Sequence, residues 1–151
     1  MSRLVITNNL TLDGVMQSPS HPDEDRRGGF EHGGWAPPYA AVLNGRRKYV
    51  VSTTLGDPLP WANSTLLSGV EEVASLKEEP GGDIVVLGSG ELIASLMRRD
   101  LIDEYVLSIH PLVLGSGRRL FPEGSPYAKL DLVDSVTTTT GVVIGTFRPQ
   151  R

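Results

Sequence analysis

The sequence predicts an α/β domain with a mostly parallel central sheet, closed by antiparallel strands at the C-terminal end. Two stretches carry this. The first is Asp83 to Arg99, in which the β-branched run Ile84-Val85-Val86-Leu87 passes through Gly88-Ser89-Gly90 into a segment where Leu92, Ile93, Leu96, Met97 and Leu101 recur at helical spacing. An unbroken apolar run of that kind is expected of a strand buried on both faces. The second is everything after Glu104, where strand-like segments separated by turns replace the alternation of strands and helices.

At 151 residues the chain is expected to form one domain, 1–151, large enough to bury a substantial core. A net charge of −4 opposes a broad electrostatic grip on nucleic acid or an anionic membrane. With no cysteine, thiolate metal sites, disulfides and cysteine nucleophiles are excluded, and a reducing, cytoplasmic setting is expected. No apolar run reaches the length of a membrane span.

Along the chain, Leu4-Val5-Ile6 opens a strand that continues extended through Leu10-Thr11-Leu12 to a turn at Asp13-Gly14. Asp13 stands either as a turn residue or as a carboxylate that orients or protonates a substrate at a strand end. Gln17 to Pro38 is punctuated by Pro19, Pro22, Pro37, Pro38 and paired glycines, and is read as a long loop. Such loops in small domains are commonly functional, and Phe30, His32 and Trp35 suggest an aromatic-bearing lid. Its His21, Asp23, Glu24, Asp25, Glu31 and His32 lack regular ligand spacing, so no metal site is assigned.

Ala40 to Leu43 and Tyr49 to Val51 both read as strands, joined only by the basic turn Gly45-Arg46-Arg47. Adjacent parallel strands need a crossover of about a dozen residues, so these form one long strand, a tight hairpin or an arm exchanged between subunits. Thr65-Leu66-Leu67 reads as a short strand. Ser68 with Glu71 fits a capping box that starts a helix through Val70, Val73 and Lys77, stopped by Pro80. Glu104 to Leu114 reads as a long strand in which Pro111 marks an edge, a bulge or a break. Gly115 to Arg119 is a second glycine-basic turn, and Leu130 to Val133 with Val142 to Phe147 forms a closing antiparallel ribbon.

The glycine turn after Leu87 suits a phosphate. Glycines let the anion approach the backbone, and the unpaired first-turn amides and helix dipole favour it there. Ile93 occupies the third glycine position of the G-x-G-x-x-G dinucleotide fingerprint, so the motif alone is incomplete.

Several words in order resemble one family. They are Leu12-Asp13-Gly14, Gly29-Phe30-Glu31-His32-Gly33-Gly34-Trp35, Lys48-Tyr49-Val50-Val51-Ser52, Gly88-Ser89-Gly90, Leu101-Ile102-Asp103-Glu104 and Pro111 through Gly117. This pattern is similar to the reductase domain at the C-terminal end of bifunctional riboflavin-biosynthesis proteins, and to stand-alone bacterial relatives with a dihydrofolate-reductase-like, three-layer fold. The resemblance implies NADPH across the carboxyl ends of the strands, its pyrophosphate at Gly88, Ser89, Gly90, Glu91 and Leu92. It implies an adenosine 2′-phosphate site at Gly45, Arg46 and Arg47 and at Ser52, Thr53 and Thr54. Thr53 stands where a basic residue is common, so NADH is not excluded. Asp13, Gly14, Phe30, Trp35 and Gly117 would shape the substrate side, with Asp13 the catalytic candidate.

The activity implied is NAD(P)H-dependent hydride transfer to a C=N or C=O carbon of a pterin-, pyrimidine- or ribosylamino-type substrate. Relatives place a helix and a loop between the Gly-Arg turn and the Lys-Tyr-Val-Val-Ser strand, whereas here Arg47 runs directly into Lys48. A homodimer, with or without exchanged strands, would compensate the missing element. The alternative is a non-catalytic homodimer, nucleotide-binding or structural, whose activity was lost with that crossover.

Overall fold

The computed structural model describes residues 1–36 and 46–151. Within them the elements are β1 (Leu4–Thr11), a single 3₁₀ turn (Arg27–Gly29), β2 (Lys48–Val51), β3 (Ser64–Leu67) and α1 (Val70–Glu78). There follow β4 (Ile84–Leu87), α2 (Gly90–Arg98), β5 (Glu104–His110), β6 (Leu130–Thr137) and β7 (Val143–Pro149). Five strands form one sheet in the order β4-β1-β5-β7-β6, with β1 parallel to β4 and β5, and β7 antiparallel to β5 and β6. The mixed α/β class and the antiparallel C-terminal ribbon are as the sequence predicts.

The core lies on one face of this sheet. Leu4, Ile6 and Leu10 of β1 and Tyr105 and Leu107 of β5 pack with Ile93 and Leu96 of α2, Val73 of α1, and Leu67, Ile102 and Leu120. Helix α2 spans from β4 to β5 over the intervening β1, so its apolar stripe has a continuous floor. Ile93 and Leu96 are fully buried, each contributing about 1.5–3 kcal/mol.

At the amino ends of the strands, the Asp103 carboxylate accepts from the Leu4 amide (2.8 Å) and pairs with Lys77 Nζ (2.7 Å). Burial acts to raise the Asp103 pKa, but the bonds from Lys77 and the Leu4 amide outweigh it and leave the carboxyl below its ordinary range. Lys77 also donates to the Leu101 carbonyl (2.7 Å), which ties α1 to the start of β5.

Several expectations change. Strand β4 is not buried on both faces: Val85 and Leu87 are about half exposed while Ile84 and Val86 face the core, because among the described residues nothing covers the second face. The cap of α1 is Gly69 rather than Ser68, and Glu72, not Glu71, reaches back to the Ser68 amide (3.0 Å). Strand β5 stops at His110, so Pro111 marks its end. Strands β2 and β3 pair in parallel as a separate two-stranded sheet, with residues 52–63 supplying the required crossover. The strand read over Ala40 to Leu43, and Gly45, lie outside the described residues.

Candidate functional site

Strands of unequal length create the site. The last β1–β4 pair is Thr7 with Leu87, whereas β1 and β5 stay paired as far as Thr11 and His110. Beyond β4 the sheet therefore carries a step, and on it stand the uncharged polar side chains Thr7, Asn8, Asn9 and Ser108.

β4 ends because two consecutive residues turn left-handed, Gly88 at φ 79° and Ser89 at φ 57°. Ser89 then caps α2, its hydroxyl accepting from the Leu92 amide (3.3 Å) and its carbonyl from Ile93 (3.0 Å). Gly88 donates its amide to Asn8 Oδ1 (3.1 Å), which locks the turn to β1. Because only the amide oxygen can accept that bond, Asn8 Nδ2 is the orphan, buried and without a partner among the described residues. Gly90 has no room for a side chain: a Cβ there would stand 2.7 Å from the Arg119 carbonyl oxygen.

These groups open onto a cleft of about 990 Å³, at the upper end of ligand-binding cavities. Its floor is the step, and Leu87 through Glu91 form one end. The other walls are two loops, one contributing Gln17 to Ser20 with Glu24, Asp25 and Arg27, the other Gly117 to Arg119 with Pro122 and Glu123. Gln17 joins them. Its buried amide donates to the carbonyls of Asp25 (3.1 Å) and Arg27 (2.9 Å) and accepts from the Arg118 amide (2.9 Å). The first loop is thus a folded unit, further closed by bonds from Gly34 to Ser18 (2.8 Å) and from Ala36 to Pro19 (2.7 Å).

Charges ring the cleft. Arg27 forks onto Asp25 with contacts of 2.9 and 2.6 Å, a bond that holds the Asp25 carboxyl down at about 2. Arg118 lies 3.5 Å from Glu91. Arg119 makes no ion pair among the described residues.

Of the residues singled out from sequence, Gly88, Ser89, Gly90, Glu91 and Gly117 line the cleft. Leu92 does not, and its amide is taken by Ser89. Asp13 and Gly14 lie outside the lining. The Asp13 carboxylate accepts from Thr11 Oγ1 (2.6 Å) and from the amides of Gly115 (2.8 Å) and Leu114 (3.2 Å), and these bonds, the Thr11 hydroxyl first, lower its pKa to about 2. It clamps the turn after β1 to the loop after β5.

Phe30 and Trp35 also stand behind the wall rather than in it. Phe30 is buried and sits where a Cβ on Gly117 would fall 2.7 Å from its ring. Trp35 donates to the Gln17 carbonyl (2.9 Å) and packs edge-on against His110, their centroids 5.4 Å apart. The lid therefore shows its polar residues to the cleft, not its aromatic ones. Burial lowers the His110 pKa, and its Nε2 lies 2.9 Å from Asn9 Oδ1.

Arg46, Arg47, Ser52, Thr53 and Thr54 do not line the cleft; β2 belongs to the two-stranded sheet, whose Tyr49, Val51 and Leu67 pack on the common core. Ser52 instead closes a local turn, its hydroxyl accepting from the amides of Thr54 (3.2 Å) and Leu55 (3.1 Å). Sequence reasoning missed Asn8, Asn9, Gln17 and Ser108. Two adjacent amides inside an otherwise apolar strand were the available signal.

Among the described residues no helix is long and apolar enough to cross a membrane. In sequence, the chain is 37% identical over 105 residues to the uncharacterized protein YyaP of Bacillus subtilis, and 44% identical over 59 residues to the uncharacterized protein YwjB of the same organism. These alignments take in 68% and 39% of this chain but only 54% and 34% of those relatives.

In structure, it is similar to a putative riboflavin biosynthesis protein from Shewanella sp. PV-4, with a TM-score of 0.65 at 16% identity and 99% coverage of both chains. It also resembles the diaminohydroxyphosphoribosylaminopyrimidine deaminase/5-amino-6-(5-phosphoribosylamino)uracil reductase of Thermotoga maritima. That likeness has a TM-score of 0.60 at 15% identity and covers 99% of this chain and 57% of that one. Both likenesses concern the fold. The family model for the RibD C-terminal domain matches residues 2–144, and the chain belongs to that family.

Proposed function

We propose that this protein is a reductase that takes NADPH, or NADH, and transfers hydride to a C=N or C=O carbon of a pterin-, pyrimidine- or ribosylamino-type substrate. One observation carries the reading. The amides of Ser89, Gly90 and Glu91 have no acceptor among the described residues, and they open at the N-terminus of α2 into a cleft with room for a dinucleotide and a small second ligand. Those amides and the Arg119 guanidinium would hold the diphosphate, and the orphaned Asn8 Nδ2 lies beside the same turn.

Bound there, the dihydronicotinamide supplies the hydride; the chain supplies alignment and exclusion of water. Gln17 keeps the two loop walls in register, and the neutral floor of Thr7, Asn9 and Ser108 presents hydrogen-bonding groups without charge. Protonation falls to water. Asp13 stays ionised at neutral pH and already accepts three hydrogen bonds, so it is a clamp rather than a proton donor.

The test is a titration with NADPH followed by Trp fluorescence, since Trp35 packs directly on Gln17, and then by loss of dihydronicotinamide absorbance when pterin and aminopyrimidine substrates are added. Saturable binding with turnover is expected, and absence of binding overturns the reading. A second reading, nucleotide binding without turnover, is favoured by the absence of Arg46, Arg47, Ser52, Thr53 and Thr54 from the cleft lining. It predicts binding with no oxidation of the cofactor.

A further inference from the structure

Residues 37–45 carry no Lys, Arg, Asp or Glu, and the cleft is lined by Arg27, Arg118 and Arg119 against Glu24, Asp25, Glu91 and Glu123. Two of the three cations are already matched within the cleft: Arg27 by the fork onto Asp25, and Arg118 by Glu91 at 3.5 Å. Arg119, also in the lining, is the one cation of the three with no ion pair among the described residues, and its backbone passes the N-terminus of α2, its carbonyl oxygen 2.7 Å from where a Cβ on Gly90 would stand.

A diphosphate at that helix mouth claims Arg119. For a second ligand the cleft then offers the neutral floor and two carboxylates, Glu24 and Glu123, that make no ion pair among the described residues. Among the described residues Glu24 accepts only from the Ser20 amide (2.9 Å), a contact that leaves its negative charge unneutralised.

We propose that the substrate part of this cleft selects an uncharged or cationic amino-heterocycle and rejects the corresponding phosphate ester. The proposal rests on the reductase reading and narrows its substrate. A phosphate beside Glu24 and Glu123 would meet like charge with no free guanidinium to offset it, whereas ring amino groups would find acceptors.

The test uses the whole chain saturated with NADP⁺, so that no turnover occurs, and compares two probes by calorimetry. One is the phosphoribosylaminouracil named for the Thermotoga relative; the other is the same compound without its phosphate. The dephosphorylated probe is expected to bind about tenfold more tightly at low salt. The double variant Glu24→Gln, Glu123→Gln should narrow that ratio to about threefold or less, with its thermal midpoint unchanged because both side chains are exposed.

Equal or tighter binding of the phosphate ester overturns the proposal, as does an unchanged ratio in the double variant or failure of both probes to bind. If NADP⁺ binds and the phosphate ester is preferred, only the substrate assignment falls. If NADP⁺ itself does not bind, the reductase reading falls with it.

Discussion

Single side chains at this site act by joining distant stretches of chain, and Gln17 does so most fully. It holds the backbone of Asp25, Arg27 and Arg118 at once. Gln17→Leu keeps its bulk and leaves buried polar groups unpaired, so it should lower stability by about 1–3 kcal/mol in a denaturant melt and weaken cofactor binding as well. Asp13 gives a pH prediction. Its pKa is about 2 in the folded chain, below the ordinary carboxylate range, so the stability it contributes is complete above the unfolded value and is lost as pH falls towards 2. In Asp13→Asn the acid-unfolding profile should lose that contribution, leaving a shallower fall of stability below pH 4 than in the wild type; a matching fall in both proteins would contradict it. Gly90, by contrast, is a poor probe of binding, because any Cβ meets the backbone of Arg119 and Leu120.

Among the elements, α2 was the most legible in sequence and is the most consequential. Its glycine turn and apolar stripe are local signals, and the structure keeps both as far as Met97, the helix ending at Arg98 before Leu101; the Ser89 cap was not read from the sequence. Leu96→Ala should cost about 2–5 kcal/mol, because its side chain is fully enclosed and the sheet beneath cannot collapse to fill the space. The floor of the cleft was not legible. Asn8 meets Gly88 across 80 positions, and Gln17 meets Arg118 across 101, so no window of sequence displays either pair. The exposure of Val85 and Leu87 was hidden for a related reason, since an apolar run states what a strand prefers and not what covers it. The parallel pairing of β2 with β3 was not legible either, because the two strands lie in separate windows of sequence and only the fold brings them side by side.

The whole molecule leaves both edges of the five-stranded sheet without a partner strand among the described residues. At one edge is β4. At the other, β6 is exposed along nearly its whole length, with Leu132, Val133 and Val136 open to solvent. Natural sheets seldom leave such an edge bare, so we propose that the chain forms a homodimer through β6. Sedimentation should give twice the mass of one chain, and Val136→Lys should shift it to one; a monomeric wild type contradicts the proposal.

The central claim is that the amides following Leu87 are an open anion seat in a ligand cleft. Backbone amide shifts recorded during titration with NADPH test it most directly. Ser89, Gly90 and Glu91 should move first and saturate together, with Arg119 following. Saturable shifts confined to other parts of the chain, or no shifts at all, would contradict it.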